Sequence, residues 1–243
     1  MPNRLQDYKL RLQARFRILK NKRLYSRLSN YPEIGSEPYV YFAPNYQPER
    51  STLPDAGMFA DVLRMLDFVS SILPTDWKVY YKEHPSIFNV PDTGIFWRGH
   101  MYRNLEFYQN VAEYDNVRIL PVDIDSFKLI DHAKCTITAT GTVALESAIR
   151  GTPGVVFGSV WFDGIEGVLK AETKEDLTEF FKRIDNGYEP DQKKIAKYLQ
   201  AAWDCSSPKY PNLLVKHIPE DQEAEYRNQI GAMLNDYLKF LPV

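Results

Sequence analysis

Residues 138–157, Thr138-Ala-Thr-Gly-Thr-Val-Ala-Leu-Glu-Ser-Ala-Ile-Arg-Gly-Thr-Pro-Gly-Val-Val-Phe157, decide the fold. A β-rich run at 135–138 enters this stretch, and the small-residue turn Thr140, Gly141, Thr142 opens a helix predicted over 142–150. Gly151, Pro153 and Gly154 break that helix, and a second apolar run at 154–157 follows. Strand, helix and strand in so short a span predict a βαβ crossover, which requires a parallel sheet.

The same alternation extends upstream. Apolar, β-rich runs at 39–43, 78–82 and 117–120 read as strands, with helical spacing at 59–73, 103–113 and 126–132 between them. Downstream, 175–186, 191–203 and 221–240 read as helices. The expected fold class is α/β: one Rossmann-like parallel sheet with flanking helices over 39–243, preceded by a basic helix at 4–29 and a breaker-rich linker at 31–38. Residues 1–38 and 39–243 are the two expected domains. In an open parallel sheet the ligand lies beyond the carboxyl ends of the strands, so the loops there are the place to look for a site.

Four such loops carry chemistry. After the 135–138 strand, Gly141 permits close backbone approach, and amides at the helix start favour an anion such as phosphate. Thr140 and Thr142 add hydroxyl donors, and Glu146 lies one turn on, within reach of a ribose. A helix cap by Thr142 with a solvated Glu146 fits the same residues. After the 78–82 strand come His84 and Pro85; a histidine there donates to phosphate or protonates a leaving oxygen, or is structural. After the 39–43 strand, Gln47 and Glu49 lie in a polar loop, with Glu49 a candidate general base and a solvated turn the alternative. After the 117–120 strand, Ser126 is the expected helix cap, supported by Asp125, with contact of Asp123 and Asp125 to a base or ribose the alternative.

Composition sets limits. The chain has 243 residues, 44% hydrophobic, and a formal net charge of −2, so bulk binding to nucleic acid is not expected. The charge is unevenly spread. In residues 1–30 nine basic side chains against the single acid Asp7 give +8, which leaves −10 on the rest. That segment is expected to lie as a helix on a partner domain, on this chain or on an anionic membrane surface, with disorder the remaining alternative. Two cysteines make no disulfide framework or metal motif, and the first thirty residues lack a secretory apolar core, so a reducing cytoplasm is the expected compartment.

Four blocks, YFAPNYQPERSTLP at 41–54, KVYYKEHP at 78–85, NVRILPVDIDSFKLIDHAK at 116–134 and TATGTVALESAIRGTPGVVFGSVWF at 138–162, together resemble the capsular polysaccharide biosynthesis family of glycosyltransferases, which includes the bacterial Kdo (3-deoxy-manno-octulosonic acid) transferases. The resemblance implies a GT-B architecture, of which this chain supplies the donor-binding domain, and a CMP-activated sugar acid, CMP-Kdo, as donor. It implies that His84 and Thr140–Thr142 meet the donor phosphate, that Glu146 binds the ribose, and that Gln47 and Glu49 face the cleft. It further implies a glycan or glycolipid acceptor, no metal and no other cofactor, and an acceptor-side wall from another domain or chain. A UDP-sugar transferase or epimerase-like protein shares the same helix-start pattern. A non-catalytic glycan-binding or docking module is the alternative of a different class.

Overall fold

The computed structural model describes residues 4–47, 52–88 and 102–205. Helix α1 (Arg4–Leu28) leads to strand β1 (Tyr39–Phe42), a 3₁₀ turn (Gly57–Ala60), α2 (Val62–Ser70), β2 (Lys78–Tyr81) and a second 3₁₀ turn (Pro85–Phe88). Then follow α3 (Leu105–Ala112), β3 (Val117–Ile119), α4 (Ser126–His132), β4 (Cys135–Thr138), α5 (Val143–Ile149) and β5 (Gly154–Val156). Strand β6 (Val168–Lys170) and helices α6 (Lys174–Asp185) and α7 (Gln192–Cys205) complete the described chain. The helix expected at 221–240 lies outside the described residues.

The six strands form one sheet in the order β3-β2-β1-β4-β5-β6, and every pair is parallel. The α/β, Rossmann-like expectation therefore holds. β6 was not expected: its three residues form a half-buried edge after Gly167 and lack the apolar run that marks the buried strands. The chain moves from β1 outward to β2 and β3, then crosses back to place β4 on the other side of β1. The loops after β1 and β4 therefore diverge, which opens a crevice at the topological switch point.

Alternation along the strands sorts the two faces. Val40, Phe42, Val79, Tyr81 and Ile137 face a core that includes Ile18 and Tyr25 of α1, Met65 and Leu66 of α2, Tyr108 of α3 and Phe181 of α6. Tyr39, Tyr41 and Tyr80 face the other way, against Leu129 and Ile130 of α4. On that second face Tyr39 and Tyr80 stack at 4.0 Å, and the Tyr39 hydroxyl donates to the Leu129 carbonyl at 2.7 Å. Such a ring pair contributes about 1 kcal/mol beyond its buried area.

Helix ends are mostly fixed by side chains. Asp61, Asn104 and Asp125 accept from backbone amides at the starts of α2, α3 and α4, and Thr173 with Asp176 forms a capping box on α6. The cap of α4 is thus Asp125, one residue before the expected Ser126, whose hydroxyl is left for other work. Thr142, at the start of α5, makes no side-chain cap.

Contacts group Met1–Ile195 into one compact unit and Ala196–Val243 into a second. The described part of the second unit is the remainder of α7.

Glycine sets the distance between α5 and the sheet. A Cβ on Gly154 would lie 2.6 Å from the Ala144 carbonyl oxygen and 2.9 Å from its Cα, so only glycine lets α5 sit this close to β5. Gly154→Ala is predicted to cost about 1–3 kcal/mol by overpacking, read as a lower urea midpoint with an unchanged slope.

Candidate functional site

Along the carboxyl edge of the sheet runs a cleft of about 1160 Å³, lined by residues that follow β1, β2, β4 and β5 and by the start of α4. The lining includes His84, Pro85, Thr140, Gly141, Thr142 and Glu146, which the structure brings together from two separate loops and a helix start.

The loops are laced by hydrogen bonds that fix their relative height. Asn45, after β1, accepts from the Thr140 amide and the Thr138 hydroxyl, both at 3.1 Å, and its amide nitrogen donates to the Thr140 hydroxyl oxygen at 2.9 Å. One buried side chain thereby bridges the switch point. Because Thr140 Oγ1 receives that bond, its own proton is left to donate elsewhere. Gly141 follows because a Cβ there would meet Thr138 Oγ1 at 2.7 Å. The amides of Thr140 and Gly141 are used within the loop, by Asn45 and Thr138. From these two residues the donor offered to a ligand is therefore the Thr140 hydroxyl.

Thr142 is exposed and donates to Glu146 Oε1 at 2.9 Å across one helical turn. This contact holds the carboxylate at the cleft while leaving its second oxygen to accept. His84 is exposed, and its Nδ1 accepts the Ser86 amide at 3.2 Å. A backbone N–H can only donate, so the neutral ring carries its proton on Nε2. Pro85 begins the 3₁₀ turn that brings Ser86 back to the ring.

Beneath His84 lies a polar network in the core. Glu83 and Arg103 pair at 2.6 Å with side chains 1% and 2% exposed. Glu83 Oε1 also accepts the Tyr81 hydroxyl at 2.5 Å, and its amide donates to the Tyr25 hydroxyl at 3.0 Å. Tyr25 in turn donates to the Leu120 carbonyl at 2.6 Å. Arg103 reaches Gln47 Oε1 at 2.8 Å and the Asn45 carbonyl at 3.3 Å. Burial opposes charge on Arg103, but the Glu83 carboxylate outweighs it and raises the guanidinium above its ordinary value. Burial, reinforced by Glu83, likewise pushes the Tyr25, Tyr81 and Tyr108 hydroxyls well up, so all three stay neutral.

Gln47 is a correction. It is 5% exposed, accepts from Arg103, donates to the Ala60 carbonyl at 2.8 Å and does not line the cleft. Its role is to hold the loop after β1. Glu49 lies outside the described residues.

Three cleft residues were not read as ligand-facing from sequence. Lys82, 5% exposed, donates to the Ser126 hydroxyl at 2.8 Å, and both line the cleft. Burial pushes its ammonium down from the ordinary lysine value, against the opposing pull of Asp125 and Asp123. Strand parity is the signal that finds it: Lys78, Tyr80 and Lys82 point to the face where α4 begins. The third is Trp161, an aromatic side chain 64% exposed on the cleft lining, against the ring of buried Phe162. The site thus combines a half-desolvated cation, an imidazole N–H, several hydroxyls, a carboxylate and an exposed aromatic side chain.

No protein-family model and no curated protein matches the chain. Solved structures with a similar fold include KpsC of Thermosulfurimonas dismutans, a beta Kdo 2,7 transferase, at 15% identity and TM-score 0.40, covering 68% of this chain and 51% of that one. Another is the UDP-GlcNAc 2-epimerase of Methanocaldococcus jannaschii, at 9% identity and TM-score 0.44, covering 76% and 49%. A third is the wall teichoic acid polymerase TagF, at 14% identity and TM-score 0.39, covering 90% and 46%. The chain spans about half the length of these proteins.

Removing one partner of the buried pair strands the other. Arg103→Met is predicted to lose about 3–5 kcal/mol of stability in urea unfolding. With Glu83→Gln as the second arm of the cycle, the double variant should lose less than the sum of the two singles.

Proposed function

We propose that the cleft binds the nucleotide and phosphate of an activated sugar, and that the chain forms the donor side of a glycosyltransferase of surface or capsular polysaccharide assembly. The observation that supports this most is the meeting of Lys82, the His84 Nε2–H and the Ser126 and Thr140 hydroxyls at the switch point of a parallel sheet. A cation and neutral donors fixed in a half-buried site suit a phosphate, which gains charge as the bond to the sugar breaks. Glu146, with one oxygen held by Thr142, suits ribose hydroxyls, and Trp161 offers a face for a base or sugar ring.

The donor in this reading is a CMP-activated sugar acid, CMP-Kdo. A nucleoside monophosphate sugar with a carboxylate presents two separate anions, and Lys82 and His84 are two separate donors on the same lining. In the transfer the anomeric carbon–oxygen bond to phosphate breaks, and a new bond forms to a hydroxyl of a glycan or glycolipid acceptor. The acceptor proton passes to a base and CMP leaves. The acceptor wall of the cleft then belongs to another domain or chain.

Isothermal titration with CMP, CMP-Kdo and UDP tests this. CMP-based ligands are expected to bind more tightly than UDP, and His84→Ala should weaken binding by about ten- to a hundredfold, as expected for a hydrogen bond to a charged group. Failure of every nucleotide to bind, or an affinity unchanged in His84→Ala, overturns the proposal. A clear UDP preference transfers it to a UDP-sugar transferase or epimerase-like protein.

A further inference from the structure

Helix α1 has two unlike faces. Ala14, Ile18, Asn21 and Tyr25 recur at helical spacing and are buried against α3 and the second 3₁₀ turn. Asn21 donates to the Arg103 carbonyl, and the Tyr25 ring lies 5.1 Å from Phe88 and 5.2 Å from Tyr108. The orientation of the helix is therefore fixed by the core. On the side turned away, Tyr8, Leu12, Phe16 and Leu19 form one stripe at spacings of four, four and three. These four side chains are 65%, 43%, 66% and 53% exposed.

The flanks of the stripe are basic. At 100° per residue, Lys9, Lys20 and Arg27 fall along one side, Arg11, Arg15 and Lys22 along the other, and Arg23 continues the stripe toward the carboxyl end. No helix among the described residues is long and apolar enough to cross a membrane, and α1, with about half its residues charged or polar, is not one. An apolar stripe between two basic rows is the arrangement of a helix that lies flat at an interface, apolar side chains in the acyl boundary and cations among headgroups. We propose that this face of α1 docks the protein on an anionic lipid surface.

Charge decides between the possible occupants. Two copies meeting stripe to stripe would bring together two segments of +8 each. An anionic bilayer neutralises the same charge and accepts the aromatic and aliphatic side chains without needing a shaped pocket. This proposal is independent of what the cleft binds.

Flotation of the full chain with phosphatidylcholine vesicles, and with vesicles of phosphatidylcholine and phosphatidylglycerol in equal parts, tests it. Binding is expected to the mixed vesicles only. It should fall when salt rises from about 0.1 M to about 1 M, which shortens the Debye length from about 10 Å to about 3 Å. Lys20→Glu, Arg23→Glu and Arg27→Glu should each weaken binding by about fivefold or more. The combined Leu12→Ser, Phe16→Ser, Leu19→Ser variant should lose binding while keeping the circular dichroism and Tm of the parent. Should that variant not fold, Phe16→Trp supplies the readout: its added fluorescence should shift to the blue on mixed vesicles and be quenched by brominated lipid. Absence of binding to mixed vesicles, equal binding to phosphatidylcholine alone, or indifference to these substitutions overturns the proposal. So does a dimer in light scattering that the serine variant dissolves, which would assign the stripe to a second copy.

Discussion

The ion pair between Glu83 and Arg103 is the constraint on which the edge of the sheet depends. Two charges almost wholly out of water are costly unless their remaining donors and acceptors are met. Arg103 meets this by holding Gln47 and the Asn45 carbonyl; Glu83 receives Arg103 and Tyr81 on one oxygen and gives its amide to Tyr25, while its second oxygen is buried without a partner. The pair therefore ties the loop after β1, the end of β2 and helix α1 to one point. His84 is the next residue along. Its position is inherited from that buried network.

From that anchor the cleft is assembled by short-range hydroxyl and amide chemistry. Asn45 carries the β1 loop across to β4, Lys82 carries the end of β2 to the start of α4, and Thr142 carries the start of α5 to Glu146. The Asn45 bridge leaves the Thr140 proton, and the Thr142 bridge the second Glu146 oxygen, for a ligand. That economy makes a site of few residues polar enough for phosphate and sugar.

The sheet was readable from sequence because strands covered on both faces need continuous apolar runs, and 39–42, 78–81 and 135–138 supply them. Strand β6 is an edge of three half-buried residues and gives no such run. The loops at the carboxyl edge were readable for the same topological reason, which places His84 and Thr140–Glu146 together without any long-range information. Gln47 was not, because its fate depends on Arg103, far along the chain, whose guanidinium needs an acceptor in the core. Local composition shows only a polar loop. Ser126 was displaced by one residue: Asp125 is the better acceptor for the first turn, and the serine it frees becomes the partner of Lys82.

The breaker-rich stretch 31–38 joins helix α1 to strand β1. Upstream of it lie Asn21, bonded to the Arg103 carbonyl, and Tyr25, whose hydroxyl stands between the Glu83 amide and the Leu120 carbonyl. A protein shortened to begin at Tyr39 would keep every residue that lines the cleft. It would lose the roof over Phe88 and Tyr108 and the receptor for the peptide just before His84. Its failure to hold a ligand would then report a missing buttress, with the binding surface itself intact in composition.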